Sequence, residues 1–138
     1  MKTLSMRWQR LVNEAGQTCE RCDSTGNATQ KAFEKLQRSL AELGIHVQLE
    51  TNILDFSTFT KDPLQSNRIW IGGRPLEEWV DAKVGRSQCC DVCGSSECRT
   101  VSVEGTTYET IPEELIIRAG LLAAAELFEK GKSECCIS

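Results

Sequence analysis

Apolar and polar residues alternate at the start of the chain, where Leu4, Met6 and Trp8 are separated by Ser5 and Arg7. A period of two predicts a half-buried strand over residues 2–10. The period then lengthens. Ala32, Leu36, Leu40 and Leu43 recur at helical spacing, Ser24 or Thr25 offers an N-cap, and Gly44 offers a stop. This predicts a helix over 25–43. Alternation returns in Ile45-His46-Val47-Gln48-Leu49, which predicts a second strand over 45–51. Strand, helix, strand is a βαβ unit, and such a unit lays its two strands parallel.

Residues 53–66 fit no single period and have room for a short helix before Pro63. Arg68–Ile71 reads as a short apolar strand, predicted over 68–72 and closed by Gly72-Gly73. The next segment reads two ways. The glycine pair suits a hairpin. Pro75 suits a first helical turn, with Leu76, Trp79 and Val80 on one face, and the short helix is the favoured reading. Residues 85–99 are assigned to a loop. Beyond them, a hairpin is predicted around Glu104-Gly105, with strand structure over 100–109. Thr110 and Glu113 form a capping box around Pro112. It opens a helix over 111–130 that is apolar on nearly every face, suited to a central position or a homodimer contact. Gly131 is the expected stop, and 132–138 the expected flexible tail. The expected core is Trp8, Leu36, Leu40, Ile45, Val47, Ile69, Ile71, Val101 and Val103.

Composition narrows the classes. A chain of 138 residues suits one domain, here 1–131, and is long enough to bury a core without disulfides. The start of the chain has no signal-peptide core, and the most apolar run, Leu115 to Leu127, is interrupted by Arg118 and Glu126. A cytoplasmic protein is expected, with no membrane partner and with thiols held reduced. Net charge is −4, no basic cluster exceeds a pair, and the aromatics are three Trp, one Tyr and four Phe. Nucleic acid is therefore not an expected partner. The single histidine, His46, alternates with Gln48 and Glu50 and belongs on the polar face of a strand. Any zinc site would be all-cysteine.

The eight cysteines carry the chemistry. Cys19 and Cys22 form a C-x-x-C just ahead of the first predicted helix. Partial positive charge at a helix N-terminus favours a thiolate, Arg10 and Arg21 add to it, and Glu20 and Asp23 oppose it. The pair suits either thiol–disulfide exchange or half of a metal site. Cys89, Cys90, Cys93 and Cys98 form a knot in which Cys90-x-x-Cys93-Gly94 resembles a metal-binding knuckle. Its shell is completed by Cys89 and Cys98, or by Cys19 and Cys22, and zinc and an iron–sulfur cluster both suit such thiolates. The alternative is a loop whose order depends on neither. Adjacent Cys135 and Cys136 resemble the C-terminal vicinal pair of mercuric reductases, a pair suited to soft metals and trivalent arsenic. The alternative is a tail without a role.

A C-x-x-C beside a βαβ pattern resembles thioredoxin-like proteins. Glu20 and Arg21 stand between the cysteines where that family often has Gly-Pro. Ser66-Asn67-Arg68 precedes the third strand where it has a cis-proline. The blocks TCERC, DPLQSNRIWIGGRPLEEW, SQCCDVCGSSECRTV and TYETIPEELIIRAGL resemble a prokaryotic family, the domain of unknown function numbered two-seven-zero-three. That resemblance implies a thioredoxin-like α/β fold and supplies no activity. The expected architecture is a central mixed β-sheet flanked by helices, with the cysteine-rich loop inserted before the last hairpin. Two functions follow. One is a thiol protein, oxidoreductase-like if it is an enzyme, that exchanges with a redox partner protein or handles a soft metal or metalloid ion. The other is a non-enzymatic module whose zinc or iron–sulfur site serves structure or partner binding.

Overall fold

The computed structural model describes residues 2–12, 20–55, 68–88 and 97–137. Their order is β1 (Lys2–Val12), α1 (Glu20–Ala41), β2 (Ile45–Asp55), β3 (Arg68–Ile71), β4 (Arg74–Pro75), α2 (Leu76–Trp79), β5 (Lys83–Gln88), β6 (Glu97–Val103), β7 (Thr106–Tyr108) and α3 (Glu113–Ile137). The protein is α/β, with three helices among the described residues.

The alternation in β1 does what its chemistry dictates. Leu4, Met6 and Trp8 are buried, whereas Ser5 is exposed and Arg7 half-buried. β1 pairs parallel with β2, from Lys2 opposite Ile45 to Val12 opposite Asp55. It pairs antiparallel with β3, from Met6 opposite Ile71 to Gln9 opposite Arg68. β4 completes a mixed sheet in the order β2-β1-β3-β4. The expected βαβ start is present. All nine expected core residues are buried, His46 is exposed, and Leu76 joins the core.

α1 and α3 pack on one another and over the apolar face of this sheet. The approach is close because Gly120 has no side chain, and a Cβ there would lie 2.5 Å from Leu36 Cδ1. Gly26 makes a similar concession to Trp8, whose ring would lie 2.4 Å from an added Cβ. A Lys35–Glu113 ion pair at 2.7 Å joins the two helices at the surface. Both readings of the glycine pair hold. Gly72 and Gly73, at φ 61° and 83°, turn β3 into β4, and Pro75 then caps the four-residue α2. Glu104 and Gly105, at φ 50° and 84°, turn β6 into β7 as a two-residue hairpin loop requires.

Four expectations need correction. First, residues 100–109 do not extend the central sheet. They belong to a separate antiparallel sheet in the order β5-β6-β7, which lends Val101 and Val103 to the common core. Second, 85–99 is not wholly loop. Gly85–Gln88 and Glu97–Arg99 are paired strand, and Ser87 faces Cys98 in the ladder. The sequence hid β5 because no residue of it is buried among those described: Lys83, Val84 and Arg86 are exposed, on both faces. Third, neither Ser24 nor Thr25 caps α1. The helix begins at Glu20, and Thr25 is fully buried within it, its hydroxyl accepting the Ile111 N–H at 3.1 Å. Fourth, Gly131 does not stop α3, which runs on to Ile137. Nor is α3 buried all round. Ile116, Ala119, Ala123 and Ala124 face inward, while Leu121, Leu122 and Phe128 are 49%, 44% and 40% exposed.

Candidate functional site

The carboxyl ends of β1 and β2 and the amino end of β3 meet at one rim of the mixed sheet, since Val12 pairs with Asp55 and Gln9 with Arg68. Ligand sites in sheets built from βαβ units collect at such a rim. α1 runs back from it. Because α1 starts at Glu20, Cys22 lies in its first turn and Cys19 immediately precedes it in sequence. Cys19 itself is outside the described residues.

What lies beneath this turn is described. Gly26, four residues after Cys22, rests on Trp8. The guanidinium of Arg10, two residues further along β1 toward the rim, is 5.9 Å from the Trp8 ring. Its Nε is buried and makes no hydrogen bond. The arginine singled out in sequence as a thiolate-stabilising charge therefore lies on β1 beside Trp8, the residue on which α1 rests at Gly26.

The knot is divided. Cys98 is on β6, opposite Ser87, and Gln88 opposite Glu97 is the last described rung. Cys89, Cys90 and Cys93 lie outside the described residues, in the eight-residue connection between β5 and β6. The hairpin is tied to the body by Arg99, the neighbour of Cys98. Its guanidinium forms an ion pair with Glu77 of α2, and the side chains are only 6% and 12% exposed. Sequence reasoning missed this pair, although an arginine flanked by strand residues two places before Val101 was the available sign. Cys135 and Cys136 are in the last turns of α3. Among the described residues, no three His, Cys, Asp or Glu side chains converge as metal ligands. No helix among them is long and apolar enough to cross a membrane.

Sequence reasoning also missed a cavity of about 210 Å³ on the sheet face opposite α1. It is lined by Ser5, Met6, Arg7, Glu50, Trp70 and Gly73. The Arg7 guanidinium lies 4.2 Å from the Trp70 ring, and that of Arg68 lies 4.8 Å from the same ring. The sign was a nominally solvated strand face that carries Arg7, Arg68 and Trp70 together.

Comparison with known proteins places these features in a family. A family described as a domain of unknown function (DUF2703) matches residues 4–120, a span that holds Cys19, Cys22 and the knot but not Cys135 or Cys136. An uncharacterized protein of the archaeon Archaeoglobus fulgidus is 41% identical over 113 residues, 82% of each chain. No solved structure matches. On the extent of the family match and the identity of this relative, the chain belongs to the DUF2703 family.

Proposed function

We propose that this is a thioredoxin-like thiol protein of the cytoplasm, working through Cys19 and Cys22 in thiol–disulfide exchange or soft-metal capture. The observation that carries the reading is the start of α1 at Glu20, one residue after Cys19. The order β2-β1-β3-β4, with β1 and β2 parallel and β3 and β4 antiparallel to their neighbours, supports the thioredoxin-like assignment. Helix partial charge and Arg10 favour a thiolate at this end of α1. In exchange, the Cys19 thiolate attacks one sulfur of a partner disulfide and releases the other as thiolate. The Cys22 thiolate then attacks Cys19 and releases the second. The partner gains two electrons and the protein becomes a Cys19–Cys22 disulfide. A trivalent arsenical or mercuric ion would instead be held by both thiolates.

A second reading rests on the β5–β6 ladder. A knuckle cysteine pair at the end of a hairpin is a common holder of structural zinc, and Cys89, Cys90, Cys93 and Cys98 would supply its ligands. Here the knot would serve structure or partner binding.

Thiol titration of the native protein, with and without a chelator, separates the two. Two fast thiols, lost in the Cys19→Ser, Cys22→Ser variant and indifferent to chelator, are expected. Four slow thiols that chelator releases, with Cys19 and Cys22 no faster than the rest, would overturn the exchange reading in favour of the zinc module.

A further inference from the structure

The face of the mixed sheet away from α1 and α3 carries an unresolved charge problem. Arg7 on β1 and Glu50 on β2 are register partners, so opposite charges sit side by side on adjacent strands. Neighbouring side chains of this kind have the reach to close into a cross-strand ion pair. Here they do not. Arg7 turns the other way and stacks on Trp70 of β3 at 4.2 Å. Its Nε is buried without a hydrogen bond, and among the described residues neither Arg7 nor Glu50 has an ion-pair partner. The cavity of about 210 Å³ is bordered by both side chains, with Ser5, Met6 and Gly73 completing its lining. A guanidinium on one side and a carboxylate on the other, held apart by stacking, make a dipolar site.

We propose that this cavity binds a small zwitterion with the carboxylate and ammonium groups of an α-amino acid. The carboxylate would take the fork of N–H donors on Arg7, which the indole holds flat and pre-oriented. The ammonium would face Glu50, and the Ser5 hydroxyl is available to either group. A side chain of the ligand would meet the edge of Trp70. Gly73 matters by its bareness: nothing lies within 4 Å of a Cβ built there, so this side of the cavity is open. The size suits a small amino acid rather than a peptide or nucleotide. The inference is independent of the thiol chemistry, because none of the lining groups is a cysteine.

The test is a titration followed by the indole N–H signal of Trp70, assigned with the Trp70→Phe variant. The probes are L-alanine and its two charge-truncated analogues, propionate and ethylamine. L-alanine is expected to shift the signal with a millimolar Kd, a weak but measurable affinity for so small a ligand. Propionate and ethylamine are each expected to bind about tenfold more weakly, the loss of one charge-assisted hydrogen bond. Glu50→Gln, an exposed change that leaves folding intact, should bring L-alanine down to the level of propionate. Arg7→Gln should abolish the shifts. Three outcomes would overturn the proposal: no response at about 50 mM L-alanine, far above such a Kd; propionate equal to L-alanine in the unaltered protein; or undiminished L-alanine binding in Glu50→Gln.

Discussion

Two cysteine-bearing regions of this protein are anchored in opposite ways. The N-terminal unit, β1-α1-β2, carries Cys22 in the first turn of a helix that packs over a dense core. Trp8 rests on Gly26 and Leu36 on Gly120, with no room for one more carbon at either glycine. The β5–β6 hairpin leads to its cysteines on an arm, and that arm is tied down by Val101, Val103 and the Arg99–Glu77 ion pair. A helix packed over a sheet fixes the start of that helix, as a redox pair requires. An arm held by one buried charge pair and two core valines depends on those few contacts. The first region suits chemistry done by the fold, and the second suits chemistry that completes the fold.

The largest effect should come from the first region. Leu36 is 1% exposed and fills the seam between α1 and α3. Leu36→Ala is expected to cost about 2–5 kcal/mol, a large-to-small change in a close-packed core. Urea unfolding would measure it. A loss below about 1 kcal/mol would mean that the seam collapses freely, and the contrast between the regions would weaken.

Breaking the arm should cost slightly less and act more locally. Arg99→Leu leaves Glu77 with a carboxylate enclosed and unpaired, for an expected loss of about 3 kcal/mol. Adding Glu77→Leu should recover most of it, because a hydrophobic pair can replace an ionic one. Hydrogen exchange should show β5 and β6 opening before β1 and β2 in the single variant. Uniform opening would show that both regions unfold as one unit.

The steric claim at Gly120 sharpens the comparison further. Gly120→Ala places a Cβ against Leu36 and should cost about 1–3 kcal/mol despite the better helix propensity of alanine. In the Leu36→Ala background the same change should be neutral or stabilising. Additive effects would break the packing account.

The first region was the more legible in sequence, for physical reasons. Leu4, Met6 and Trp8 show a period of two because one face of β1 meets helices and the other does not. Ala32, Leu36 and Leu40 show a helical period for the same reason. The start of α1 was misread because Thr25 looks like a cap, yet its hydroxyl serves the backbone of Ile111, 86 residues away. Tertiary partners leave no local trace. β5 was invisible because Lys83, Val84 and Arg86 are all exposed. Cys19, Cys22 and the knot stood out in sequence by residue type and spacing. The cavity at Arg7 did not, since its meaning depends on which way one arginine turns.

The smallest effect concerns the last turns of α3. Gly131 was read as a stop, but it lies inside a helix that reaches Ile137. Glycine costs about 1 kcal/mol within a helix, and the described buried residues of α3 lie between Leu115 and Ala124. Helical order beyond Gly131 should therefore contribute little to global stability. Serine and cysteine have nearly equal helix propensities, so Cys135→Ser, Cys136→Ser should change stability by less than about 0.5 kcal/mol. The same variant should weaken capture of a mercuric ion or trivalent arsenical, because a tethered second pair raises the local thiol concentration. Thermal unfolding and metal titration, run side by side, check both halves. A loss of several degrees in Tm would make the end of α3 a packed part of the first region, and unchanged metal binding would remove the pair from the chemistry altogether.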